Sequence, residues 1–432
     1  MGGALFNKLI KNFGRVCERI PDARRQGHNL TYKIANFVIS AFSVFFFQRP
    51  SMLDFQHRMK EKKGRSNLQT VMGVTELPSD TQIRTIMDGI APEQFGPLFN
   101  STLRIAEEAG LLEDYRVLDG GVLMALDGVW YHSSKNIHCP RCLHQRKDGE
   151  TTYYHSALAA TIVKPGNTSV LPVMAEMIVN GDGEKKQDCE LEAAKRWLAS
   201  HGAEYAWLKP TLLGDDLFSH DPFCRRVLDA GYSFIFTCKD SSHPWLRETV
   251  ANSEKEERTR REWNGRAHLA YIYRWINGVP IRYEENEKEA LMVNYLEMEI
   301  WNEEKKKRTY YNSWITDKPI SQDNAKGLCD CGRARWKIEN EHNNVLKNHG
   351  YNLEHNFGHG ENHASENFCL MNLAAFLFHT VLYLGDEQYH KARDRSGRRD
   401  SFHNDLKYVF SRFLHENWEA FINFLWGEEP GG

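Results

Sequence analysis

Long hydrophobic runs are missing from this 432-residue chain. The most apolar stretch, Ile34 to Phe47, is too short to span a bilayer and reads as a buried helix. Charge of one sign is also missing: the formal net charge is −3, so no overall basic excess announces a nucleic-acid partner. No internal repeat or low-complexity tract is evident, which sets aside solenoid architectures. The opening Met1-Gly-Gly-Ala-Leu-Phe-Asn-Lys8 lacks the charged, apolar, small pattern of a secretory leader. Together with nine cysteines, an odd count, this predicts reduced thiols in a cytoplasmic setting and no disulfide framework.

What is present is ordinary globular composition, 41% apolar and 26% charged, at a length that predicts two or three domains. The charge is unevenly spread. Residues 1–65 hold 13 Lys/Arg against 4 Asp/Glu, whereas residues 66–116 hold 3 against 8. A basic end on a near-neutral protein is compatible with contact to DNA phosphates, and equally with a solvated surface.

Residues 1–115 read as a helical module. Tyr32–Gln48 is an apolar helix stopped by Arg49-Pro50, and Pro78-Ser79-Asp80-Thr81-Gln82 has the form of a helix start with Ser79 or Asp80 as N-cap. From Arg116 the pattern changes. Val122–Asp127 is a short apolar run closing on a carboxylate, Thr151–Val163 and Ser169–Ile178 are further strand candidates, and Lys147-Asp-Gly149 supplies a turn. Gln187–Ser200 is an amphipathic helix, Trp207–Gly214 a strand running into Asp215-Asp216, His220–Ala230 a helix and Ser233–Lys239 a strand. Three strands, a helix, a strand, a helix and a strand is the order of an RNase H-like α/β core, a mixed sheet with flanking helices. Residues 250–318, rich in Tyr, Trp, Ile and Val with a turn expected at Asn277-Gly278, read as a β-rich insertion. The predicted division is therefore a helical DNA-binding or assembly module over 1–115, core over 116–249, insertion over 250–318, the rest of the core over 319–390, and C-terminal helices over 391–432.

The stretch Arg333–Lys347 holds no Pro or Gly and predicts a helix, with Arg335, Glu339, His342 and Leu346 on one face at a 3.6-residue period. An Arg and a Glu at this spacing are usually a surface ion pair. The alternative is that Glu339 joins Asp127 and Asp215, which close two strands of the core. Converging carboxylates repel and hold their protons unless cations sit between them. Hard oxygen ligands suit Mg²⁺ or Mn²⁺, and two such ions fit an in-line phosphodiester displacement. Asp216 and Glu341 stand as alternatives to Asp215 and Glu339.

Asp127-Gly-Val-Trp130, Leu212-Leu-Gly-Asp215-Asp-Leu-Phe-Ser219 and Arg335-Trp-Lys-Ile-Glu339 together resemble the catalytic blocks of DDE transposases from bacterial insertion sequences. The resemblance is to the group with a Tyr-Arg-Glu-Lys signature, and it covers most of residues 70–385. It includes Pro78–Gln82 and Leu353-Glu-His-Asn-Phe-Gly-His-Gly360. It implies that Asp127, Asp215 and Glu339 bind two catalytic Mg²⁺ or Mn²⁺ ions. It also implies that Arg335 and Lys347 contact double-stranded DNA near the cut, and that a homodimer joins two transposon ends on the DNA. The setting implied is cytoplasmic and nucleoid-associated, in a bacterium, with no membrane partner. Two positions depart from the signature. Gly332 stands where its Tyr belongs, and seven residues separate Glu339 from Lys347 where the signature has six. In relatives the β-rich insertion handles the DNA end, and Trp263 and Trp275 are candidates to stack an unpaired base, core packing being the commoner role for either.

His138-Cys139-Pro-Arg-Cys142-Leu-His144 has the two-residue spacing of a zinc knuckle, with Cys329-Asp-Cys331 as candidate partners. Histidines 349, 355, 359 and 363 resemble a metal tract but read more simply as a loop held by polar contacts. Two rival functions remain at this level: a transposase-derived DNA-binding protein without activity, and a zinc-dependent regulator built on Cys139 and Cys142.

Overall fold

The computed structural model describes residues 3–24, 32–60, 66–179, 189–283 and 289–427. The basic segments 25–31 and 61–65 lie outside the described residues. Helices come first along the chain: α1 (Ala4–Cys17), α2 (Ile34–Phe46), α3 (Met52–Lys60), α4 (Asn67–Thr70), α5 (Asp80–Asp88) and α6 (Gly96–Glu108). The start of α5 follows its sequence signature. Ser79 is the N-cap, its Oγ accepting from the Gln82 amide at 3.2 Å while Gln82 Oε1 accepts from the Ser79 amide at 2.9 Å.

The sheet begins with β1 (Leu123–Ser134), β2 (Leu143–Lys147), β3 (Glu150–Val163), β4 (Leu171–Pro172) and β5 (Glu176–Ile178). The β2–β3 hairpin turns on Asp148 and Gly149, both at positive φ, as a two-residue primed turn requires. The predicted strand Ser169–Ile178 is split into β4 and β5, both on the edge of β3 away from β1. Then follow α7 (Glu190–Tyr205), β6 (Thr211–Gly214), α8 (Asp221–Asp229), β7 (Ser233–Thr237) and α9 (Pro244–Ala251). Strand β3 is antiparallel to β1, whereas β6 is parallel to β1 and β7 parallel to β6.

Residues 250–318 add β8 (Glu256–Trp263), β9 (His268–Pro280), β10 (Met292–Asn302) and β11 (Lys307–Thr316), an antiparallel meander. It extends the same sheet, because β11 pairs with β7. The result is one mixed α/β sheet of 11 strands in the order β2-β3-β1-β6-β7-β11-β10-β9-β8. Asn277-Gly278 is not the hairpin turn its sequence suggests. Both residues lie inside β9, and the pairing with β10 shifts there, from Val279 opposite Val293 to Ile276 opposite Tyr295. Gly278 has φ of 70° and its amide donates to Asn294 Oδ1 at 3.0 Å, the geometry of a β-bulge. The exposed edge, β8, is nearly all charged (Glu-Glu-Arg-Thr-Arg-Arg-Glu-Trp), which discourages pairing with another chain.

After the sheet come α10 (Ala325–Arg333), a π turn at Ile338–Asn343, α11 (Asn344–Asn348), α12 (Ala364–Gly385), α13 (Glu387–Arg395), α14 (Arg399–Arg412) and α15 (Trp418–Trp426). α12 is apolar on every side and is buried accordingly. By length and composition it would cross a membrane, but it runs through the interior of the fold, as the core helix of a soluble protein does. Aromatic rings from both ends of the chain meet around it. Phe42 lies 4.9 Å from Phe378 of α12 and 5.0 Å from Phe13, Phe6 stacks on Trp418 at 3.8 Å, and Phe47 stacks on Phe410 at 3.5 Å. The N-terminal helices and the C-terminal helices thus share one core with α12.

Phe378 has no exposed surface whereas Tyr408 on α14 is largely exposed. Phe378→Ala is expected to lower unfolding free energy by about 3–5 kcal/mol in urea titrations, and Tyr408→Ala by less than about 1 kcal/mol.

Candidate active site

Strand register brings the first two carboxylates level. In the parallel β1–β6 pair Ala125 lies opposite Leu213, so Asp127 and Asp215, each two residues further along, emerge side by side. Asp127 does not end its strand, since β1 continues to Ser134 and pairs Asp127 with Ala159 of β3. The run of apolar residues stops at Asp127 because β6 no longer covers β1 beyond that level. Asp215 caps the turn after β6, its Oδ1 accepting from the Leu217 amide at 2.9 Å.

The third carboxylate arrives on the Arg333–Lys347 stretch, which is helical but not one continuous α-helix. α10 ends at Arg333, and Glu339 lies in the π turn. The wider turn changes which side chains face the strand. Arg335 Nη2 meets Glu339 Oε1 at 2.8 Å, its Nη1 stands 3.9 Å from Asp127 Oδ1, and Asn343 Nδ2 donates to Asp127 Oδ2 at 2.8 Å. His342, expected beside Glu339, turns into the core instead. It is fully buried, its Nδ1 pairs with Asn343 Oδ1 at 2.8 Å, and burial pushes its pKa down to about 4.

A fourth carboxylate that the sequence gave no cue for belongs to Glu190, the first residue of α7. It packs on Gly128, where any β-carbon would collide with its carboxylate. As one of the acidic residues that commonly open a helix, Glu190 carried no distinguishing signal. Burial and then the charge of Asp215 push its pKa upward. Burial likewise, followed by the charge of Glu339, pushes Asp127 up to about 7, with Glu190 and Asp215 adding to the rise and Arg335 opposing it. The cleft therefore crowds four carboxylates around one guanidinium, an arrangement with negative charge to spare for hard cations.

Asp216 is occupied elsewhere. It accepts from the Lys239 amide at 2.6 Å and from Ser242 Oγ at 2.7 and 2.6 Å, fixing the loop after β7. Glu339, and not Glu341, carries the ion pair with Arg335.

The residues expected to touch DNA are not gathered in one place. Arg335 is 12% exposed and committed to the carboxylates. Lys347 Nζ pairs with Glu354 Oε1 at 2.7 Å. Trp263 is 58% exposed beside His268 at the tip of the β8–β9 hairpin, but Trp275 is 1% exposed and belongs to the core, which removes it from any base-stacking role. Gly332, where the signature has Tyr, lies against the Trp314 indole, which a β-carbon there would strike.

Cys139 and Cys142 lie together, but Cys329 and Cys331 are not their partners. Those two are buried on α10, and side chains two apart on a helix point about 200° apart, so they cannot close on one ion. His138 stacks on Tyr153 at 4.3 Å. The residues that do meet Cys139 and Cys142 are His155 of β3 and His359, distant in sequence and unmarked by any spacing.

The Asp127 carboxyl binds its proton more tightly in the folded protein than its ordinary value of 3.8 allows in the unfolded chain. Its contribution to stability is thus complete below about pH 4 and is lost as pH rises through about 7. In divalent-free buffer at pH 8, Asp127→Asn is expected to melt higher than wild type, with the difference shrinking towards pH 4. Added Mg²⁺ is expected to raise the wild-type melting temperature and leave Asp127→Asn nearly unmoved. Asp216→Ala, which orphans the Lys239 amide, is expected to cost about 1–3 kcal/mol in denaturant titrations, whereas Asp215→Ala leaves stability close to wild type.

No protein-family model matches this chain and no curated protein sequence matches it, so its likeness to the transposase blocks rests on the motifs themselves.

Proposed function

We propose that the protein is a DDE transposase. It hydrolyses a phosphodiester at each transposon end and then joins the liberated 3′-hydroxyl to target DNA. The observation that carries this reading is the side-by-side emergence of Asp127 and Asp215 from parallel strands, with Glu339 brought to them on a π turn. Such turns recur at functional sites. The strand order supports an RNase H-like reading of the sheet: β4 and β5 beside β3, β3 antiparallel to β1, then β6 and β7 parallel to β1. On that reading β8–β11 are an insertion that lengthens the sheet before the last carboxylate.

In the first step water attacks phosphorus and the bond to the 3′-oxygen breaks, leaving a 5′-phosphate and a 3′-hydroxyl. In the second, that hydroxyl attacks a target phosphodiester, and the displaced target oxygen leaves with a proton. Asp127, Asp215 and Glu339 would hold two Mg²⁺ or Mn²⁺ ions, which stabilise charge on the attacking and leaving oxygens. The remaining side chains keep those oxygens in place. Asn343 fixes Asp127 Oδ2 and so leaves Oδ1 pointing into the cleft. Arg335 tethers Glu339 and offsets the excess charge when no cation is held. Glu190 supplies a fourth oxygen donor against Gly128. DNA ends and a second copy of the chain are the partners this chemistry needs.

The test is cleavage of DNA carrying the element's own ends in Mg²⁺ or Mn²⁺. Asp127→Ala, Asp215→Ala and Glu339→Ala are each expected to slow cleavage at least about a hundredfold, with end binding kept. Wild-type protein that binds the ends but never cuts them would overturn the enzymatic reading.

A further inference from the structure

A second cluster, independent of the carboxylates, lies where the β1–β2 connection, β3 and the loop before α12 meet. Cys139 Sγ and Cys142 Sγ are 3.8 Å apart, His155 Nε2 is 3.3 Å from the first and 3.4 Å from the second, and His359 Nδ1 is 3.9 Å from Cys142 Sγ. All four atoms lie within 4.8 Å of one another. A tetrahedral zinc with Zn–S of about 2.3 Å and Zn–N of about 2.0–2.1 Å requires S···S of about 3.8 Å and S···N of about 3.5 Å. The observed separations match that tetrahedron. A disulfide does not account for them, since its sulfurs stand about 2.05 Å apart.

The surroundings are built to hold these four atoms. Cys142 and His155 are buried, and Cys139 and His359 half-buried. The loop carrying His359 is pinned from α5. Asp88 accepts from the backbone amides of Glu361, Asn362, His363 and Ala364 at 3.0–3.1 Å, and the Arg84 guanidinium donates to the Phe357 carbonyl. Arg141, between the two cysteines, pairs with Glu366 on α12, and Glu366 also meets His363 Nδ1 at 3.0 Å. The imidazole planes are set by packing, His155 stacked on Tyr131 at 5.5 Å and His359 edge-on to His132 at 4.3 Å.

The geometry points to a structural Zn²⁺ site formed by Cys139, Cys142, His155 and His359, which fastens the β1–β3 strands to the loop following the helix that carries Glu339. Four protein ligands leave no open position, so the ion would hold structure and not react with substrate. The ligands come from three distant segments, so binding energy becomes stability of their junction.

The full-length protein, purified without added metal, is expected to hold about one zinc per chain by mass spectrometry of the metal. Replacement by Co²⁺ is expected to give the intense visible bands of tetrahedral cobalt and a thiolate charge-transfer band. Cys139→Ser, Cys142→Ser, His155→Ala and His359→Ala should each lose zinc, and His359→Cys should retain it. Cys329→Ser and Cys331→Ser should also retain it, as should Asp127→Ala, which separates this site from the carboxylate cleft whatever the cleavage assay gives. If a single-ligand variant fails to fold, chelation of wild type decides, with a lower melting temperature expected and recovery on adding Zn²⁺. Protein without zinc that gives no tetrahedral cobalt spectrum, or a Cys139–Cys142 disulfide in its place, overturns the inference.

Discussion

Repulsion among like charges governs the centre of this molecule. Asp127, Asp215, Glu190 and Glu339 share a half-buried cleft with Arg335 as their near cation, and the cost is visible in the upward shift of Asp127 to about 7. Such an arrangement persists only if the surrounding scaffold over-determines it. The scaffold does so by backbone pairing, which is indifferent to side-chain charge. The β1–β6 register sets two of the carboxylates, the packing of α7 on Gly128 sets the third, and the helical stretch laid over β1 sets the fourth. Rigidity of this kind is what a cation site needs, because ligands that cannot relax apart gain most when a cation arrives.

The helical body serves the same end from a distance. α12 is the wall on which α1, α2, α5 and α6 pack, and it also contacts β4 of the sheet. Through Asp88 and Glu366 it governs the loop that holds His359. A single apolar helix thereby connects the aromatic core to both polar clusters without contributing a carboxylate to the cleft.

Much of the sheet and of the carboxylate set was legible in the sequence, for local reasons. Buried parallel strands such as β6 and β7 are short apolar runs, and the Lys147-Asp-Gly149 turn and the Ser79 cap are chemistry of adjacent residues. The failures have one cause, which is that the deciding contact was not local. Glu190 matters because Gly128, far upstream, has no side chain. His155 and His359 belong with Cys139 only after three segments fold together, whereas Cys329 and Cys331 looked attractive because they are close in sequence. Asn277-Gly278 has the composition of a hairpin turn, but pairing with β10 and the Asn294 side chain makes it a bulge. Asn343 was overlooked because a 3.6-residue period was assumed through a turn that is wider.

That wide turn also bears on length. A π turn takes up one residue more than an α turn while advancing the chain by about the same rotation. Between Glu339 and Lys347 the chain carries one residue more than the signature it resembles, and the π turn at Ile338–Asn343 lies within that interval. The surplus residue is absorbed as girth, not as a shift of phase, so Lys347 keeps the face of the helix that the shorter spacing would give it. An inserted residue has thus been accommodated by swelling one turn, and the bearing of everything that follows on the helix axis has been preserved.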